Sequence, residues 1–161
     1  MMHSVSLPDK TDKKAVYEAL LPQLQALCAG ENDLVANLGN IAAAIHAATG
    51  SHWTGFYLVK NEELVLGPFQ GPVACTRIGY GKGVCGTAWK EKKTMLVKDV
   101  ETFPGHIACS SLSRAEIVVP LLSQNGEVLG VLDLDHTALA AYDETDGIYL
   151  QAIARFVSTL F

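Results

Sequence analysis

At 161 residues, with 49% apolar and 18% charged side chains, the chain is long enough to bury a sizeable core without disulfide staples and too apolar for disorder. A formal charge of −5 disfavours nucleic acid and anionic membrane as partners. The opening stretch MMHSVSLPDKTDKK holds no signal-peptide core, and no run nears the ~18 apolar residues that cross a bilayer, so a cytoplasmic protein is expected.

The first predicted element is a helix over 13–29 with Val16, Leu20, Leu24, Leu27 and Cys28 inward, kinked or begun by Pro22. A second follows Glu31-Asn32-Asp33, where Leu34, Val35, Leu38, Ile41, Ala42 and Ile45 recur at helical spacing until Gly50 ends the run. From Trp53 the period changes. WTGFYLV and ELVLGPF read as a hairpin around Lys60-Asn61-Glu62-Glu63, and Val73 to Ile78 as a third strand. In GYGKGVCGTAWKEKK a glycine-rich loop opens a short helix near Val84, and TMLVKDV is a further strand. The polar loop FPGHIACSSLSR leads to a long hairpin, Ala115 to His136, and a last amphipathic helix begins near Asp143 with Leu150, Ile153, Ala154, Val157 and Leu160 on its stripe. This order describes an α+β sandwich built as one domain over 1–161.

The long hairpin carries the chemistry. Asn125-Gly126 predicts a two-residue type I′ turn, which places Glu116 opposite Asp135 and Val118 opposite Asp133. Cross-strand partners, and residues two apart on a strand, share a face, so Glu116, Asp133 and Asp135 project together. Like charges on neighbouring strands repel, and a buried unpaired carboxylate is costly, so a cation is expected between them. Asp133 and Asp135 lie roughly 7 Å apart on an extended strand, close enough to grip one group. Oxygen ligands alone suit Mg²⁺, Ca²⁺ or Mn²⁺, yet no Asp-rich metal loop accompanies them, and no metal is assigned. Three acceptors around one point match instead the three N–H donors of an alkyl ammonium, such as a free α-amino group. The simpler alternative is that the hairpin ends emerge into water.

Of the four cysteines, Cys28 belongs to the first helix's apolar side. Cys85 lies at the mouth of the short helix, where backbone N–H groups and the helix dipole lower a thiol pKa, with Lys82 adding to this. Cys109 lies in the HIACSS loop shortly before Glu116, with His106 nearby as a surface residue or a base. A nucleophilic thiol with a second thiol in reach is the design of a redox-cycling cysteine, in which a sulfenic acid is resolved as a disulfide. Trp53 and Tyr57 share one face of a strand and can wall a small apolar pocket, or fill the core.

Five stretches resemble one family together: HWTGFYL, GPFQGPVACTRI, GYGKGVCGTA, HIACSSLSRAEIVVPL and GVLDLDH. They are similar to the free methionine-(R)-sulfoxide reductases, which are built on a GAF domain. The resemblance implies a six-stranded, mostly antiparallel sheet flanked by helices, and thiol-dependent reduction of free methionine-(R)-sulfoxide without a cofactor. It implies Cys109 as catalytic thiol, Cys85 as its disulfide partner and Cys75 as an auxiliary or alternative resolving thiol. Glu116, Asp133 and Asp135 would hold the free amino acid, with Trp53 and Tyr57 around its methylsulfinyl end. Thioredoxin as reductant and a homodimer are implied in the same way. Two other readings remain: a non-catalytic module sensing a small amine, which would be expected to carry an output domain or long signalling helix, and a thiol-based oxidant sensor.

Overall fold

A computed structural model describes residues 3–161. Helices α1 (Lys13–Cys28) and α2 (Leu34–Thr49) precede the hairpin β1 (Trp53–Lys60) and β2 (Glu63–Gln70), followed by β3 (Arg77–Gly79), α3 (Gly83–Glu91) and β4 (Met95–Val97). A single 3-10 turn at Val100–Thr102 leads toward β5 (Ala115–Leu122), β6 (Val128–His136) and α4 (Glu144–Ser158). The strands form one antiparallel sheet in the order β3-β2-β1-β6-β5-β4, as the resemblance implied. Among the described residues no helix is long and apolar enough to cross a membrane.

Local chemistry accounts for the helix ends. Asp12, Asp33 and Asp143 each accept from a backbone N–H of the first turn that has no helical partner, and Asp143 and Asp146 form a reciprocal capping box. Gly50 closes α2 in the left-handed region with φ of 66°. One sequence expectation is borne out here and one changes. Helix α1 runs through Pro22, which leaves only the Glu18 carbonyl without its helical donor. Val35 is 66% exposed, because Leu34 takes the inward place in that first turn and packs against the core.

The type I′ turn expected at the β5–β6 tip is found instead at the β1–β2 hairpin, for which no turn type was expected. Lys60 pairs with Glu63, and both Asn61 (φ 50°) and Glu62 (φ 65°) lie in the left-handed region, so the β1–β2 connection is the two-residue type I′ turn. At the β5–β6 tip only Gly126 has positive φ, and its N–H donates to Ser123 O at 3.0 Å. That is a three-residue loop: a type I turn followed by a left-handed glycine. Ser123 N–H then donates to Glu127 O rather than Gln124 facing Glu127. The ladder would be one residue out of step, but β6 carries an extra residue, Leu129, between Leu122↔Val128 and Leu121↔Gly130. The bulge restores the alignment, and Glu116 stands opposite Asp135 with Val118 opposite Asp133, as expected.

Each face of the sheet buries its own cluster. On one side Phe56, Leu58, Ile117, Val119, Leu121, Leu132 and Leu134 meet apolar residues of α1, α2 and α4. On the other, Trp53, Tyr57, Val118 and Val131 meet Val84, Cys85 and Ala88 of α3. Helix α3 covers only part of this second face. The remainder is roofed by loops.

Candidate active site

Rows of paired residues cross the second face. Trp53 pairs with Asp135, Asp135 with Glu116, and Glu116 with Val97; in the next row Gly55 pairs with Asp133 and Asp133 with Val118. The three acids therefore share a face. Gly55 is required in this row, since a Cβ there would stand 2.3 Å from Phe69 Cβ and 2.7 Å from the Trp53 ring. Without it, Trp53 stacks on Phe69 at 5.2 Å and on Tyr57 at 5.8 Å between ring centroids.

The acids form the floor of a pocket with Trp53 and Tyr57 on its wall and Cys85, Cys109, Ser113 and His106 on its lining. Glu116 and Asp133 are buried, and Asp135 is partly so. Asp133 Oδ1 is fully enclosed with no hydrogen-bond partner. Burial pushes the Glu116, Asp133 and Asp135 carboxyls well above the usual carboxylate range, and repulsion among the three raises them further. A cation arriving at this floor would oppose that shift and favour the ionised carboxylates.

The roof is made of two loops, 71–76 and 103–114, joined by a disulfide between Cys75 and Cys109 with Cα atoms 5.5 Å apart. The hydroxyl of Tyr57 donates to Cys75 O at 2.9 Å, and Trp53 Nε1–H donates to Pro72 O at 3.1 Å, so the wall also holds the first loop. The Cys85–Cys109 pairing implied by the resemblance is not the one formed. Cys85 is a free, buried thiol pointing at Glu116 Oε1 from 3.9 Å. It sits inward on the first turn of α3, under the roof rather than in it. The lowered pKa expected at that helix mouth is also reversed. Desolvation, then the charges of Asp133 and Glu116, push the Cys85 thiol well up, outweighing the helix dipole.

His106 is the residue whose place the sequence did not indicate. Its side chain is 15% exposed and lines the pocket, with Nε2 3.5 Å from Glu116 Oε2. Burial lowers its pKa and raises that of Glu116, so each group is displaced toward its uncharged form. Helix α3 can approach the sheet because Gly86 has no side chain: a Cβ there would lie 2.4 Å from Gly79 O.

This fold and pocket define a class. The GAF domain family pattern matches residues 29–161, and the chain belongs to that family. It is 56% identical over 149 residues to GAF domain-containing protein A of Dictyostelium discoideum, covering 92% of this chain and 94% of the relative. It is 41% identical to the free methionine-R-sulfoxide reductase of Saccharomyces cerevisiae, covering 96% and 90% of the two chains. The solved structure of the Neisseria meningitidis free methionine-R-sulfoxide reductase in complex with its substrate superposes with a TM-score of 0.96 at 52% identity, covering 99% and 96%. Within the GAF class the chain belongs to the free methionine-R-sulfoxide reductase family of oxidoreductases.

Proposed function

We propose that this chain reduces free L-methionine-(R)-sulfoxide to L-methionine, with Cys109 as nucleophile and Cys75 as resolving thiol. One observation carries the reading: three carboxyls from adjacent strands floor the same pocket that the Cys75–Cys109 disulfide roofs. The α-ammonium of the substrate sits among Glu116, Asp133 and Asp135, and its methylsulfinyl group lies against Trp53 and Tyr57. A peptide-bound methionine sulfoxide has no free ammonium and leaves those acids unsatisfied, which selects the free amino acid.

The Cys109 thiolate attacks the sulfoxide sulfur while one of the three carboxyls protonates the oxygen; the hydroxyl of the adduct then passes to the Cys109 sulfur as the bond between the two sulfurs breaks, which releases methionine and leaves Cys109 as a sulfenic acid. The Cys75 thiol attacks that sulfur, water departs, and the Cys75–Cys109 disulfide forms. An external dithiol of thioredoxin type then reopens it by exchange. A reducing cytoplasm and a homodimer complete the proposal. Supplying each sulfoxide epimer with dithiothreitol and measuring released methionine tests it. Consumption of the R epimer alone is expected, with N-acetylmethionine sulfoxide slower by about 10²–10⁴-fold in kcat/KM. No methionine from either epimer would favour the amine-sensor reading.

A further inference from the structure

With Cys109 bonded to Cys75, the pocket holds a thiol for which this mechanism has no use. Cys85 Sγ, a Glu116 oxygen and an Asp133 oxygen all lie within 4.8 Å of one another, and all three residues are buried. Asp133, only 5% exposed, turns an oxygen without any partner into the same space. His106 Nε2 stands at the rim, 3.5 Å from the second Glu116 oxygen. A thiol adds little to an ammonium site, because sulfur is a weak acceptor. As a thiolate it is a strong ligand for a soft divalent ion, and with carboxylate and imidazole it makes a donor set suited to zinc. Bond lengths near 2.0 Å to oxygen or nitrogen and 2.3 Å to sulfur put the ligand atoms of a tetrahedral zinc about 3.3–3.6 Å apart. The Cys85 to Glu116 separation of 3.9 Å needs only a small contraction to reach that geometry.

We infer that the pocket floor is a binding site for a soft divalent cation, Zn²⁺ or Cd²⁺, held by Cys85, Glu116 and Asp133 with His106 closing from the rim. The ion takes the acids that the substrate's ammonium would use, so the two exclude each other; this second part rests on the proposed function. Binding releases the thiol proton and any carboxyl protons to solvent, and no electrons move.

The disulfide-bonded protein makes a clean test, since Cys28 and Cys85 are then its free thiols. Titration with Cd²⁺ is followed by the ultraviolet thiolate-to-metal absorption and by calorimetry, and repeated with Zn²⁺. One equivalent is expected to bind with a thiolate band that survives Cys28→Ser and disappears in Cys85→Ser. Calorimetry on Glu116→Gln, a variant independent of the thiol, should show affinity lower by at least about tenfold. A band that persists in Cys85→Ser, or the absence of saturable one-to-one binding by either ion, overturns the site. Adding free methionine sulfoxide should then displace the ion. If metal binds but is not displaced, the site stands and the shared use of the acids does not.

Discussion

The two faces of the sheet are written on the same strands in alternate residues, yet they are built to opposite ends. On β5 and β6 the residues facing α1, α2 and α4 are Ile117, Val119, Leu121, Leu132 and Leu134, without a polar atom among their side chains. The intervening residues include Glu116, Asp133 and Asp135, and their face is covered by one short helix and two cross-linked loops. The first face resembles any well-packed interior. The second keeps buried carboxyls that disfavour the empty folded state, and it keeps room above them. One face therefore supplies the stability that the other spends on an unsatisfied polar floor.

This division can be broken from either side. Cys109→Ser is expected to cut methionine sulfoxide turnover by roughly a thousandfold or more, the scale seen when a covalent nucleophile is lost, while the urea midpoint of the reduced protein stays close to that of reduced wild type. Residual turnover with dithiothreitol near the wild-type rate would remove Cys109 from the role proposed for it. Leu132→Ala on the opposite face is expected to do the reverse, costing about 2–5 kcal/mol in urea denaturation. Its kcat/KM, measured well below the unfolding temperature, should change little. A large loss of kcat/KM in that still-folded variant would show that the faces are coupled.

Two smaller effects sharpen the contrast. Asp133 has its pKa raised by burial, so it contributes stability that is fully present below the pKa of the unfolded chain and is lost as pH rises through the folded value. The substrate-free protein should therefore lose stability as pH climbs above the ordinary carboxylate range. Asp133→Asn should flatten that decline, which denaturation at a series of pH values will reveal; an unchanged slope would mean that Asp133 is ionised in the empty pocket. Tyr57→Phe removes only the hydroxyl that donates to Cys75 O, with an expected loss of about 0.5–1.5 kcal/mol. The same variant should form the Cys75–Cys109 disulfide more slowly after a single turnover, as mass spectrometry of quenched samples can follow.

How much of this was legible in the sequence depended on how far each interaction reached. Helical stripes and strand alternation are short-range, and they located most of the elements; the third and fourth strands are shorter than expected because Val73 to Thr76, Thr94, Lys98 and Asp99 lie outside them and Val100 opens the 3-10 turn. The shared face of Glu116, Asp133 and Asp135 was also legible, but through a turn that does not exist. Asn-Gly names a type I′ turn by propensity, whereas a one-residue bulge further along decides the register, and no local signal marks Leu129. The sulfur pairing was less accessible still. Cys85, Cys75 and Cys109 lie in three separate segments, and only folding shows two of them in the roof and one beneath it. His106 was indistinguishable from a surface histidine, since its burial depends on where its loop closes over Glu116.

The extra residue at Leu129 has a consequence for how this protein tolerates change. The misalignment is corrected beside the hairpin tip, so any tip that keeps the Leu122↔Val128 pair leaves the carboxylates at the far end of the ladder in place. Gln124 to Gly126 is thus a natural place for a fluorophore or tag to be grafted, while the chemistry at the other end keeps its aim.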